Sequence, residues 1–97
     1  AYHEIKNLSN PDGALATYDV VGNICETDTF ASDRQIATIS EGDLLVFENA
    51  GAYGFEMASN FNSRYKPAEV LIINGEAKLI RQRDTFEDLT RNQVEVL

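Results

Sequence analysis

The residues best suited to chemistry are a thiol and a carboxylate side by side. Cys25 and Glu26 fall in Val20-Val-Gly-Asn-Ile-Cys-Glu-Thr-Asp28, just past a strand-like run. A free thiol titrates at about 8.5, so near neutral pH it is mostly protonated and can give a proton. A carboxylate can hold an ammonium group. Neighbours on a strand point to opposite faces, so both could meet one ligand only from a loop. Gly22 and Asn23 make a loop plausible. Taken alone, a single cysteine reads more simply as a small buried hydrophobe, and Glu26 as a solvated charge.

Two further stretches carry polar chemistry. In Asn49-Ala-Gly-Ala-Tyr-Gly-Phe55, small residues flank Tyr53. Gly51 and Gly54 permit close backbone approach, and the phenol can donate to a phosphate oxygen. A turn with a half-buried tyrosine is the plainer reading. Met57-Ala-Ser-Asn-Phe-Asn-Ser-Arg64 could line a polar interface or form an exposed loop. His3 has no partner pattern and reads as structural. No metal-ligand spacing, phosphate loop or Ser/His/Asp set stands out.

The elements that must position these groups are short strands and turns. Strands are predicted over Ala1–Lys6, Thr17–Val21, Leu44–Glu48, Glu69–Ile73 and Glu76–Gln82. Ser9-Asn-Pro-Asp-Gly13 and Glu41-Gly-Asp43 are turn clusters. Asn74-Gly75 between two β-type runs predicts a type I′ hairpin, because both turn positions need φ > 0. Short helices are predicted over Gly51–Asn60 and Thr85–Arg91, the second opened by Thr85 with Asp88 three residues on. The fold class is mainly β: a small Greek-key barrel or sandwich with one or two short helices.

A chain of 97 residues is one domain with a thin core. Its net charge of −8 argues against nucleic acid, which needs a basic face. Six of the eight basic residues lie between Arg64 and Arg91, leaving the N-terminal part strongly acidic. No apolar run approaches the ~20 residues of a membrane helix. With Cys25 alone there is no internal disulfide, and a reduced, cytoplasmic setting is expected. The sequence opens with Ala1 directly into Tyr-His-Glu-Ile, which reads as a piece of a longer protein.

In order and rough spacing, Ala1-Tyr-His, Val20-Val-Gly-Asn-Ile-Cys-Glu, Glu41-Gly-Asp, Gly51-Ala-Tyr-Gly, Met57-Ala-Ser-Asn-Phe-Asn and Pro67-Ala-Glu-Val-Leu resemble the C-terminal part of diaminopimelate decarboxylases. The resemblance covers nearly the whole chain. Thr85-Phe-Glu-Asp-Leu is similar to that family's closing helix.

The resemblance implies an alanine-racemase-like enzyme using pyridoxal 5′-phosphate, which converts meso-diaminopimelate to L-lysine and carbon dioxide. It implies that residues 1–97 are the C-terminal β-domain, working with an α/β-barrel that carries the Schiff-base lysine. It also implies a homodimer with active sites at the interface, so that the β-domain alone is inactive. By the same resemblance Cys25 is the proton donor. Glu26 contacts the substrate, and Tyr53 contacts cofactor and substrate near the phosphate. At about 4 Å and an effective dielectric near 20, a Glu–ammonium attraction is roughly 4 kcal/mol before desolvation.

The family usually continues its Cys-Glu with Ser-Gly-Asp, whereas Thr27 and Asp28 follow here. The Schiff-base lysine, the glycine-rich phosphate loop and a substrate-binding Arg and Tyr fall outside these residues, and Lys6, Lys66 and Lys78 match no such motif. A β-domain that takes a strand from the parent's N-terminus would have an open edge when isolated. Two other readings stand beside this one. An ornithine- or arginine-type decarboxylase typically places Asp where this chain has Glu26. A non-catalytic interaction module derived from such a domain is the other.

Overall fold

The computed structural model describes residues 2–24 and 29–96. Among them are six strands, two short helices and one 3-10 turn, a mainly β chain as expected. The strands pair antiparallel in three two-stranded ladders. The chain divides into two units, residues 1–50 and 51–97.

The first unit holds β1 (Ile5–Asn7), β2 (Leu15–Val21), β3 (Thr29–Ala37) and β4 (Leu45–Phe47). β1 pairs with β4, placing Ile5 opposite Phe47 and Asn7 opposite Leu45. β2 pairs with β3, from Leu15 opposite Ala37 to Val21 opposite Thr29. β2 alternates: Ala16, Tyr18 and Val20 are half-buried while Leu15, Thr17, Asp19 and Val21 are exposed. That is the period-2 pattern of a strand with one wet face. The core is Ile5, Ala31 and Ile36, with Tyr18, Val20, Ile39, Leu45 and Phe47 packed around it. Burying side chains of the size of Ile5 or Ile36 stabilises by roughly 1.5–3 kcal/mol each. Phe30 meets Phe47 edge-on, ring centroids 5.2 Å apart.

The β2–β3 register shifts between Tyr18 and Val20 and again between Val20 and Val21. At the first shift Asp33 has φ 54°, and its N–H donates to Oδ1 of Asp19 at 2.9 Å. The aspartate thus satisfies a backbone group that the bulge takes out of the ladder.

Asn7 is the most buried polar residue of this unit, 2% exposed. Its amide nitrogen faces the carbonyls of Ala37 and Thr38 at 3.4 and 3.1 Å and the Asp43 carboxylate at 3.0 Å. Its amide oxygen accepts from the N–H groups of Ser9 and Asn10. The Ser9–Gly13 turn is thereby tied to the end of β3 and to the turn before β4. Asn10 donates to the Thr38 carbonyl at 2.9 Å, and the Leu44 N–H donates to Ser9 Oγ at 2.8 Å.

The second unit holds α1 (Gly51–Met57), the 3-10 turn Phe61–Ser63, β5 (Glu69–Ile73), β6 (Glu76–Arg81) and α2 (Phe86–Thr90). β5 and β6 form the hairpin predicted around Asn74-Gly75, whose φ angles are 50° and 77°. Thr85 caps α2, its N–H donating to Asp88 Oδ2 at 2.7 Å in a capping box. None of the described residues of this unit is fully buried.

β2, β4, β6 and α2 differ from expectation by one or two residues at an end, and three differences are larger. β1 starts at Ile5 rather than Ala1, because only Ile5, Lys6 and Asn7 find partners on β4. α1 stops at Met57 rather than Asn60. There the Ser59 and Asn60 side chains bond to nearby backbone, a competition that ends helices. β3, the longest strand, lies in a stretch where no strand was predicted.

Candidate functional site

β2 delivers the chain to Val21 and β3 receives it at Thr29, and the two residues face each other across the ladder. The sequence between them carries Cys25 and Glu26. Both, with Thr27 and Asp28, lie outside the described residues.

The edge of the first unit near Tyr2 is held by charge. Arg34 donates from Nη1 to the His3 carbonyl at 2.8 Å, and its guanidinium lies 4.0 Å over the Tyr2 ring. His3 Nδ1 sits 3.0 Å from the Glu48 carbonyl. A carbonyl only accepts, so Nδ1 carries the proton there. This contact joins the approach to β1 with the end of β4, in keeping with the structural role read for His3. Lys6 pairs with Glu48 at 2.8 Å. The hydrogen bond and charge of Glu48 raise the Lys6 ammonium above its ordinary value.

Tyr53 stands on α1 in the second unit and is half exposed. A Cβ built on Gly51 or Gly54 would meet nothing within 4 Å, so open space adjoins the phenol's helix at both glycines. Phe55 is the one residue of α1 that is not exposed. The Arg81 guanidinium lies 4.3 Å over its ring. Arg81 Nε also donates to Oε1 of Glu69, its partner across the hairpin. Sequence reasoning missed this arrangement. Its signal was an opposite charge at each outer end of the Asn74-Gly75 hairpin.

The stretch Met57–Arg64 divides in two. Met57 is exposed. Asn60 turns to its own loop, donating to the Arg64 carbonyl at 2.8 Å and to Asp84 Oδ2 at 2.9 Å. The Lys66 N–H donates to the same Asp84 oxygen at 2.9 Å. The Lys66 amide first, then the Asn60 amide, hold the Asp84 carboxyl below the usual carboxylate range. Asn60 therefore shapes the loop.

The hairpin shows a different chemistry. Val70 faces Leu79 and Ile72 faces Ala77, so these four share one side. Val70, Ile72 and Leu79 are 55%, 67% and 61% exposed, an apolar sheet face open to solvent. On the other side Leu71 and Ile73 alternate with Lys78 and Glu76.

Residues 1–51 match the sequence family described as Pyridoxal-dependent decarboxylase, C-terminal sheet domain. The chain belongs to this family. The match spans the four strands of the first unit. A diaminopimelate decarboxylase of Methanothermobacter thermautotrophicus is 50% identical over 95 residues, covering 96% of this chain and 22% of that protein. The crystal structure of diaminopimelate decarboxylase from M. jannaschii superposes with a TM-score of 0.85 at 35% identity, over 99% of this chain and 22% of that one. That of the Helicobacter pylori enzyme complexed with L-lysine superposes at 0.80 and 38% identity, over 94% and 23%. The chain thus spans under a quarter of the length of each of these relatives. Among its described residues no helix is long and apolar enough to cross a membrane.

Proposed function

We propose that this sheet domain is the C-terminal β-domain of a cytoplasmic, homodimeric diaminopimelate decarboxylase. The parent enzyme removes carbon dioxide from meso-2,6-diaminopimelate and releases L-lysine. The 50% identity to a diaminopimelate decarboxylase, running through both units, carries this reading. The open apolar face of Val70, Ile72 and Leu79 supports a domain that completes its packing against the rest of its parent.

The described residues fit a contact with pyridoxal phosphate. Tyr53 is half exposed and offers a phenolic donor that a phosphate oxygen could meet. The cofactor, when bound, supplies an electron sink for the pair left as carbon dioxide departs. This chain's own residues have narrower tasks. Tyr53 holds the phosphate and borders the substrate. Glu26 attracts an ammonium of the substrate. Cys25 delivers a proton to carbon from its thiol, in a setting where a positioned acid is typically worth ~10²–10⁴-fold. The lysine that binds the cofactor belongs to the barrel, so the domain alone is inactive.

Carbon dioxide release by the full-length parent with pyridoxal phosphate tests this, offering meso-diaminopimelate, ornithine and arginine in turn. Release from diaminopimelate, with none from the isolated domain, is the expected result. Preference for ornithine or arginine, or no release from any of the three, would overturn it.

A further inference from the structure

α1 cannot hold its own shape. Its seven residues are fewer than the ~12–15 an isolated helix needs in water. Its two glycines, Gly51 and Gly54, weaken it further. Something must anchor it, and the candidate is specific: Phe55 is its one shielded side chain, and Arg81 covers the ring.

Arg81 is itself fixed. It ends β6 opposite Glu69, which begins β5, and a carboxylate oxygen of Glu69 takes its Nε–H. The Glu69 side chain is the better shielded of the pair, 25% exposed against 56%. A planar guanidinium can donate this bond and still lie flat on an aromatic ring, which a lysine ammonium cannot do. Residues two apart on a helix are turned by about 200°, so Phe55 and Tyr53 occupy nearly opposite faces of α1. Anchoring one face therefore sets the direction in which the other presents its phenol.

We propose that Glu69, Arg81 and Phe55 form a tether that orients α1 so that Tyr53 is presented to pyridoxal phosphate, with Arg81 a positioning residue that touches neither cofactor nor substrate. The proposal rests on the reading above that Tyr53 contacts the cofactor.

A double-mutant cycle in the full-length parent tests it, read as the Kd of the apoenzyme for pyridoxal phosphate. Hydrogen exchange of the residue 51–57 amides in the same apoenzyme is the second readout. Tyr53→Phe weakens binding by roughly tenfold or more, as expected for a lost bond to a charged oxygen. Arg81→Ala weakens it about two- to fivefold and speeds exchange in α1. Phe55→Leu, which keeps an apolar side chain but not the ring, does the same, while Arg81→Lys does not restore wild-type binding. In the Tyr53→Phe background Arg81→Ala adds nothing, because its effect runs through the phenol. A purely structural role would weaken binding equally in both backgrounds and would overturn the tether. So would wild-type affinity and exchange in both Arg81→Ala and Phe55→Leu. Unchanged affinity in Tyr53→Phe would instead overturn the reading of Tyr53 on which the tether depends.

Discussion

The side-chain amide of Asn7 donates to Oδ2 of Asp43 across 3.0 Å, and that same oxygen accepts the N–H of Ser40 at 2.9 Å. One carboxylate oxygen thereby closes the turn before β4 and pins it to the last residue of β1. The Ser40 amide first, then Asn7, hold the Asp43 carboxyl below the usual carboxylate range. β1 and β4 have only three residues each, so this polar junction supplies order that so short a ladder cannot.

Removing the amide should therefore be costly. Asn7→Ala strands acceptors and donors on three segments, at a residue only 2% exposed. The expected loss is about 2–4 kcal/mol, read from the urea midpoint. A loss under about 1 kcal/mol would mean that water replaces the amide fully.

Acid should act on two carboxylates in the same direction. Asp43 and Asp84 both titrate lower in the folded state than their ordinary 3.8. A depressed folded value gives stability that is complete above the unfolded value and is lost as pH falls through the folded one. Melting temperature should thus be insensitive to these groups above about pH 5 and decline below about pH 4. The double variant Asp43→Asn, Asp84→Asn should show a shallower acid limb. An acid limb of unchanged slope would contradict this.

Gly13 answers to Asn10. A Cβ on Gly13 would sit 2.2 Å from Asn10 Nδ2, so the amide must swing away from the Thr38 carbonyl. Gly13→Ala should cost about 1 kcal/mol, the net worth of one hydrogen bond. In an Asn10→Ala background the same change should cost nearly nothing, since the clash is with that side chain alone. Equal costs in the two backgrounds would place the strain in the Gly13 backbone.

For the proposed chemistry, Cys25→Ala in the full-length enzyme should lower carbon dioxide release by ~10²–10⁴-fold. Its urea midpoint should stay near that of the parent. A rate within a few-fold of wild type would remove Cys25 from the proton-transfer step.

The legibility of the chain follows how local each signal is. The β5–β6 hairpin was predicted because Asn74 and Gly75 supply their own positive φ, and the α2 cap because Thr85 and Asp88 are three residues apart. β3 was not visible. Its Ser32-Asp-Arg-Gln35 stretch has no apolar alternation, and two register shifts break the period further. It is a strand because β2 lies beside it, with Ala31 and Ile36 reaching the core. The central place of Asn7 was equally hidden, since its partners lie up to 36 residues away. For the site, the small residues around Tyr53 are plain in the sequence, but its role at the cofactor follows only from the family resemblance. The covering of Phe55 by Arg81 needed the hairpin's register before it could be seen.

That hairpin also divides its information unevenly. After Glu69, β5 reads Val70-Leu-Ile-Ile73, apolar on both sides, so sliding this run by one residue would exchange one greasy face for another. Where one face is polar, a slip carries charges into a core and punishes itself. Here the count is kept by β6, through the alternation of Glu76, Ala77, Lys78 and Leu79, by the two-residue turn that starts it, and by Glu69 opposite Arg81. Changes from Val70 to Ile73 should therefore be read as changes of fit, and changes at Glu69, Asn74, Gly75, Lys78 or Arg81 as changes of address.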